Sequence, residues 1–192
     1  MSMLPLPTID EPDRNCNACP RLAALRDEHR CRYPNFFNAP VPSFGPLETK
    51  LLIVGLAPGL KGANRTGRPF TGDFAGDLLY STLSNHGFSI GTYGRESDDD
   101  LTLVDCRITN AVRCVPPGNK PLGAEVKACR PFLAAEMVAM PNLRIVLALG
   151  VIAHGAVLAA RGISPTAHKF SHGSIHEIEP GLCLADSYHC SR

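Results

Sequence analysis

The apolar run Leu51-Leu52-Ile53-Val54 stops at Gly55 and gives way to a stretch crowded with Gly, Pro, Asn and Thr. That stretch ends at Asp73, just ahead of a helix-like pattern. Such a run predicts a buried strand that delivers a loop to the carboxyl edge of a sheet, where open α/β sheets bind ligands. Connections in compact domains have a median of about 4–6 residues. This loop is longer and chemically richer than a connection needs, so the chain must fold as a sheet that presents it.

The remaining segments supply partners for that strand. Pro20 opens a helix, a position that suits its missing N–H, with Leu22, Ala23 and Leu25 on one face. Tyr33 to Pro46 is dense in Pro and aromatics and predicts an irregular wrap. A helix is predicted from Asp73 to His86, stopped by Gly87. Leu101 to Val104 and Arg107 to Cys114 read as strands, the second closed by the breaker Pro116-Pro117-Gly118. Next come a helix from Pro121 or Gly123 to Met140, the strand Arg144 to Leu149, and a helix from Gly150 to Arg161. A last strand, Ile175 to Ile178, leads into the tail LCLADSYHCSR. Strands alternating with helices imply a mainly parallel central sheet with helices on both faces. Residues 1–192 read as one domain, with residues 1–14 as a flexible leader.

The formal net charge is +1 with His neutral, so no global field draws the chain to a polyanion. Lys61, Arg65, Arg68, Arg107, Arg113, Lys120 and Lys127 gather near the unusual loops and would form a local basic patch. Composition fits ordinary solvated charges equally well. The N-terminus lacks the pattern of a secretory signal. The apolar stretch Ile145 to Ala160 is interrupted and falls short of the roughly 20 residues a bilayer span needs. A cytoplasmic monomer without a membrane partner is expected.

Eight cysteines without a secretory signal point to metal ligation or burial rather than disulfides. Cys16 and Cys19 form a Cys-x2-Cys pair, and Cys114 and Cys129 stand singly. A zinc ribbon ordinarily brings a second close pair, so this spacing suits a [4Fe–4S] cluster better, with zinc, and then no metal, behind it. Cys31, Cys106, Cys183 and Cys190 are expected to be buried as small hydrophobes.

In order along the chain stand GLAPG (Gly55 to Gly59), NRTGRPFTGD (Asn64 to Asp73), ITNAVRCVPPGNKP (Ile108 to Pro121) and SYHCSR (Ser187 to Arg192), with the four cysteines interleaved. This combination resembles the type b, or family 5, uracil-DNA glycosylases from about Asn15 to the last residue. The resemblance implies a three-layer α/β/α sandwich and a base-excision repair enzyme acting on DNA that contains uracil or other deaminated bases. It also implies a [4Fe–4S] cluster on Cys16, Cys19, Cys114 and Cys129. Related type a enzymes carry a polar or acidic residue where this chain has Ala57, as the type b family does.

Cleaving a glycosidic bond builds positive charge on the sugar and negative charge on the leaving base, so a carboxylate and hydrogen-bond donors are needed on opposite sides. Asp73 matches the carboxylate, although Asp before a helical pattern is also a good N-cap. His189 matches the family's second motif and would donate to a base carbonyl. Phe70 matches the residue that stacks on the flipped base, its alternative being a place in the core. Asn110 offers a donor and an acceptor to the base edge. Asn119 matches a further polar position, and ordinary turn chemistry explains it too. Gly55 allows close backbone approach. The competing readings are a metal-containing nucleic-acid-binding module without catalysis, and a redox protein.

Overall fold

The computed structural model describes residues 11–191. In chain order the main elements are α1 (Pro20–Arg32), β1 (Leu51–Gly55), α2 (Ala63–Thr66), α3 (Phe74–Asn85), β2 (Ser89–Ile90), β3 (Thr102–Leu103), β4 (Cys106–Asn110), α4 (Gly123–Ala139), β5 (Ile145–Leu149), α5 (Val151–Ala160), β6 (Ile175–Glu179) and β7 (Leu182–Ser187). Five strands form one sheet in the order β4-β1-β5-β7-β6. All neighbours in it are parallel except β6 and β7.

Successive residues of a strand point to opposite faces. On β1, Leu52 and Val54 join a core with Leu133 and Met137 of α4, Val157 and Leu158 of α5, and Leu184 of β7. Ile53 points the other way, to Leu79, Tyr80 and Leu83 of α3 and Ile108 of β4. Both faces of β1 are thus covered, as a parallel sheet requires. The result is the expected three-layer α/β/α sandwich.

After β1 the chain goes to β4 on one side, then crosses to β5 on the other. The crevice outside the carboxyl ends of β1, β4 and β5 is therefore a switch point in strand order, where such sheets bind ligands. The loop that follows Gly55 opens into it.

Two expectations on strands need correction. The segment Arg107 to Cys114 is in strand only to Asn110, after which residues 111–114 bend. Part of the predicted tail is β7, which lies between β5 and β6 and alternates buried and half-buried along Leu182–Ser187. Its alternation of Leu182, Leu184 and Asp186 with Cys183 and Ala185 is the signature of a half-covered strand, hidden because one inward position is an aspartate.

The predicted basic patch is largely absent. Arg68, Arg107 and Arg113 are buried. Arg68 forms a two-pronged pair with Asp99, both contacts at 2.6 Å. Arg107 and Arg113 share the fully buried Glu136, each at 2.6 Å. Arg65 pairs with Glu96. Lys61, Lys120 and Lys127 are exposed. Of the expected leader, residues 1–10 lie outside the described residues. Glu11 meets Arg107 at 3.7 Å and Arg14 donates to the Phe37 carbonyl at 3.1 Å. Among the described residues no helix is long and apolar enough to cross a membrane.

Candidate functional site

Gly55 ends β1 where the chain turns into the loop. A Cβ there would lie 2.5 Å from Asn110 Oδ1 and 2.6 Å from Phe70 Cζ, so glycine is what lets these two side chains close on the strand end. Phe70 adopts φ +52°, an uncommon conformation for a bulky residue. Its loop is held by several bonds. The Tyr93 hydroxyl accepts from Gly72 N at 3.0 Å and donates to Phe70 O at 3.2 Å. The Tyr80 hydroxyl donates to Pro69 O at 2.6 Å, and Arg68 Nε donates to Thr71 Oγ1 at 2.9 Å. The Arg68 guanidinium sits 5.0–5.8 Å from the ring centres of Phe44, Tyr80 and Tyr93, so its charge is met by aromatic faces as well as by Asp99.

Asp73 is the N-cap of α3, with Oδ1 accepting from Gly76 N at 3.0 Å. Its other oxygen faces Gly59 and Gly62. A Cβ on Gly62 would stand 2.6 Å from Asp73 Oδ2, and one on Gly59 3.5 Å away. The carboxylate therefore caps its helix and faces the glycine loop at once.

His189 follows β7 and half-buries its ring against Phe70, with centroids 5.7 Å apart and planes inclined by 27°. Its Nδ1 accepts from Ser191 N at 3.1 Å, which leaves the proton of the neutral ring on Nε2 and makes that nitrogen a donor. Burial lowers the pKa of His189 below the ordinary histidine value, while the charge of Asp73 pulls it back up.

These residues enclose a recess of about 40 Å³ lined by Ala57, Phe70, Asp73, Asn110 and His189, together with Pro58, Gly59, Ala63 and Ala75. It adjoins an open cavity of about 510 Å³ that shares Ala57, Gly59, Asp73, Ala75 and His189. Asn119 borders that outer cavity and not the recess; it is exposed, at φ +57°. Phe70 is buried among core residues and also lines the recess. The sequence reading missed the wall formed by Leu149, Gly150, Val151, Ile152 and Ala153. The signal in the sequence is Gly150 closing the apolar run Ile145–Leu149 ahead of α5; in the structure it stands at φ +102°.

Cys16, Cys19, Cys114 and Cys129 come together in one recess beside α1 and α4. It holds only about 10 Å³, about what a single water needs. Burial pushes the Cys19 thiol up to about 11 and the Cys114 thiol up to about 12, and neighbouring cysteines add to both shifts. Of the other four, Cys106 is buried, Cys183 and Cys190 are half-buried, and Cys31 is exposed, against expectation.

The expected [4Fe–4S] cofactor is corrected here. Among the described residues, the group whose ligand atoms all lie within 4.8 Å of one another is His154, His176 and Asp186. Its nitrogen and oxygen donors make a zinc-type set, whereas an iron–sulfur cluster takes thiolates. No spacing rule connects these three residues, which come from α5, β6 and β7, so the sequence reading passed over them.

The family description "Uracil DNA glycosylase superfamily" matches residues 42–192. A type-5 uracil-DNA glycosylase of Thermus thermophilus is 43% identical over 182 residues, covering 92% of this chain and 83% of the relative. The type-5 enzyme of Mycobacterium leprae is 40% identical over 195 residues, covering 97% of this chain and 85% of the relative. A type-4 uracil-DNA glycosylase of Pyrobaculum aerophilum is 33% identical over 190 residues, covering 96% and 82%. With the motifs of Gly55 to Asp73 and of His189 meeting at one switch-point recess, this chain belongs to the type-5 uracil-DNA glycosylase family of the uracil-DNA glycosylase superfamily.

Proposed function

We propose that this protein is a monofunctional DNA glycosylase that hydrolyses the N-glycosidic bond of flipped uracil, and of other deaminated bases, to initiate base-excision repair. It would act as a single-domain monomer over residues 1–192. The observation that carries the reading is the convergence of Phe70, Asp73, Asn110 and His189 on one recess at the end of β1.

A base must leave the stack to be reached, at a cost of a few kcal/mol. Phe70 offers its ring for stacking, and Asn110 offers an amide to the base edge. As the bond to the sugar breaks, its electron pair goes to the base. The His189 Nε2–H donates to the base oxygen on which that charge collects. Donors aimed at developing charge in a site shielded from water are worth far more than in solution. The Asp73 carboxylate steadies the cationic sugar or orients the attacking water. Water oxygen then bonds to the sugar carbon, and its proton leaves to base or solvent. Ala57 supplies no polar group to position water, which shifts that task to Asp73.

A second reading has a specific observation on its side. A metal-containing nucleic-acid-binding module without catalysis fits the His154, His176 and Asp186 group. Incubation with a uracil-containing oligonucleotide separates the two. Release of free uracil supports the enzyme, and binding to the same oligonucleotide with no base released on prolonged incubation supports the module. The four converging thiols are put forward as a separate, softer ligand set joining α1 to α4. A thiolate-to-metal charge-transfer band on titration with cobalt(II) tests that role.

A further inference from the structure

We propose that His154, His176 and Asp186 form a divalent-cation site of the zinc type that locks α5 to the β6–β7 hairpin. The three ligands come one each from α5, β6 and β7. His154 is 2% exposed and Asp186 3%, so these are not surface groups that happen to be close.

The pattern of hydrogen bonds favours an ion over a closed polar cluster. His154 Nε2 lies 3.0 Å from the His168 carbonyl, which can only accept, so Nε2 carries a proton. Histidine ligands to metals characteristically donate their second ring nitrogen to a carbonyl in this way, which orients the first nitrogen as a ligand. That first nitrogen, Nδ1, stands 2.7 Å from Asp186 Oδ1. His154 thus donates from Nε2 to a carbonyl while its Nδ1 is turned to the carboxylate that would share the ion. A divalent ion held between Nδ1 and the Asp186 carboxylate would be bonded by both.

The third residue supplies the independent observation. His176 Nε2 is buried and has no partner in hydrogen-bond geometry. It lies 3.4 Å from Asp186 Oδ2 and is aimed at the same carboxylate. Buried polar atoms are nearly always satisfied, and an orphan of this kind calls for an ion or a water. Two imidazole nitrogens and a carboxylate oxygen are the donor types zinc takes at about 2.0–2.2 Å. Asp186 Oδ2 also receives Ser171 N at 3.3 Å, so the carboxylate has an outer partner of its own.

An ion here would fasten two parts of the site described above. The first turn of α5 contributes Val151, Ile152 and Ala153 to the outer cavity, and His154 follows directly. Asp186 leads through Ser187 and Tyr188 to His189. This consequence for the recess rests on the glycosylase reading; binding of the ion does not.

Cobalt(II) titration of the full chain, with metal analysis of the dialysed protein and displacement by zinc, tests the site. The expected result is one ion per chain bound without thiolate ligation, over and above any held by the four cysteines, that His176→Gln abolishes or weakens beyond the about 10–100-fold that loss of an outer partner costs. His176 has 18% of its side chain exposed, so this variant should keep the fold, checked by circular dichroism. His154→Gln should act the same way, and any thiolate charge-transfer band should persist in both variants. Equal cobalt stoichiometry and affinity in parent and His176→Gln would overturn the proposal. So would a parent whose bound cobalt is accounted for entirely by thiolate ligation.

Discussion

Asp73 caps α3 with one oxygen and turns the other to the glycine loop, and substitutions can separate the cap from the proposed chemical role. Asparagine caps a helix about as well as aspartate, so Asp73→Asn should leave stability near the parent value. Base release should fall about 10²–10⁴-fold if the carboxylate acts as general base. Asp73→Ala should lose about 1 kcal/mol of stability as well. Urea unfolding beside a uracil-release assay reads both, and an Asp73→Asn protein as active as the parent would remove the carboxylate from the mechanism. His189 offers a second test. Its folded pKa is lowered by burial and supported by Asp73, so removing that charge should lower it further. Ring titration by NMR in parent and Asp73→Asn gives the sign directly. A folded pKa below the unfolded value of about 6.5 also makes this group destabilising as pH falls from about 6.5 toward the folded value.

The loop from Gly67 to Asp73 is shaped less by its own residues than by what clasps it. Arg68 is held between Asp99 and three aromatic rings, and Tyr80 and Tyr93 bind the carbonyls of Pro69 and Phe70. Breaking one side of a buried ion pair typically costs 3–5 kcal/mol, because the remaining charge is stranded. Asp99→Asn should approach about that loss in denaturant unfolding and should also weaken base release, since the loop carries Phe70. The Asp99 carboxyl is held below its usual range by the Arg68 guanidinium. The pair's contribution is therefore fully present above the ordinary carboxylate range and is lost as pH falls through the depressed folded value. Contact between α3 and this loop is equally tight. A Cβ on Gly76 would fall 1.8 Å from the Phe70 carbonyl oxygen, a backbone atom that cannot swing aside. Gly76→Ala should force α3 and the loop apart, at about 3 kcal/mol or more, with a matching loss of activity. An alanine variant with parental stability and rate would show that the approach is not needed.

β7 binds the architecture together because it lies between β5 and β6 and ends in the segment that carries His189. Leu184 at its centre is fully buried. Leu184→Ala should cost about 2–5 kcal/mol, measured by thermal or urea unfolding. Much of this layout is legible in the residues. The apolar runs of β1 and β5, the helix start at Asp73 and the small-residue helix α5 are local signals, set by side-chain period and backbone propensity, and the motifs around Gly55, Asp73 and His189 carry the family. Local signals do not say which distant groups meet. Whether Asp73 would cap or face the recess depended on Gly59 and Gly62 leaving room for its second oxygen. Arg68, Arg107 and Arg113 look like surface charges until burial pairs them with Asp99 and Glu136. The grouping of His154, His176 and Asp186 arises from the adjacency of α5 with the β6–β7 hairpin, a long-range packing outcome with no periodicity or spacing to announce it.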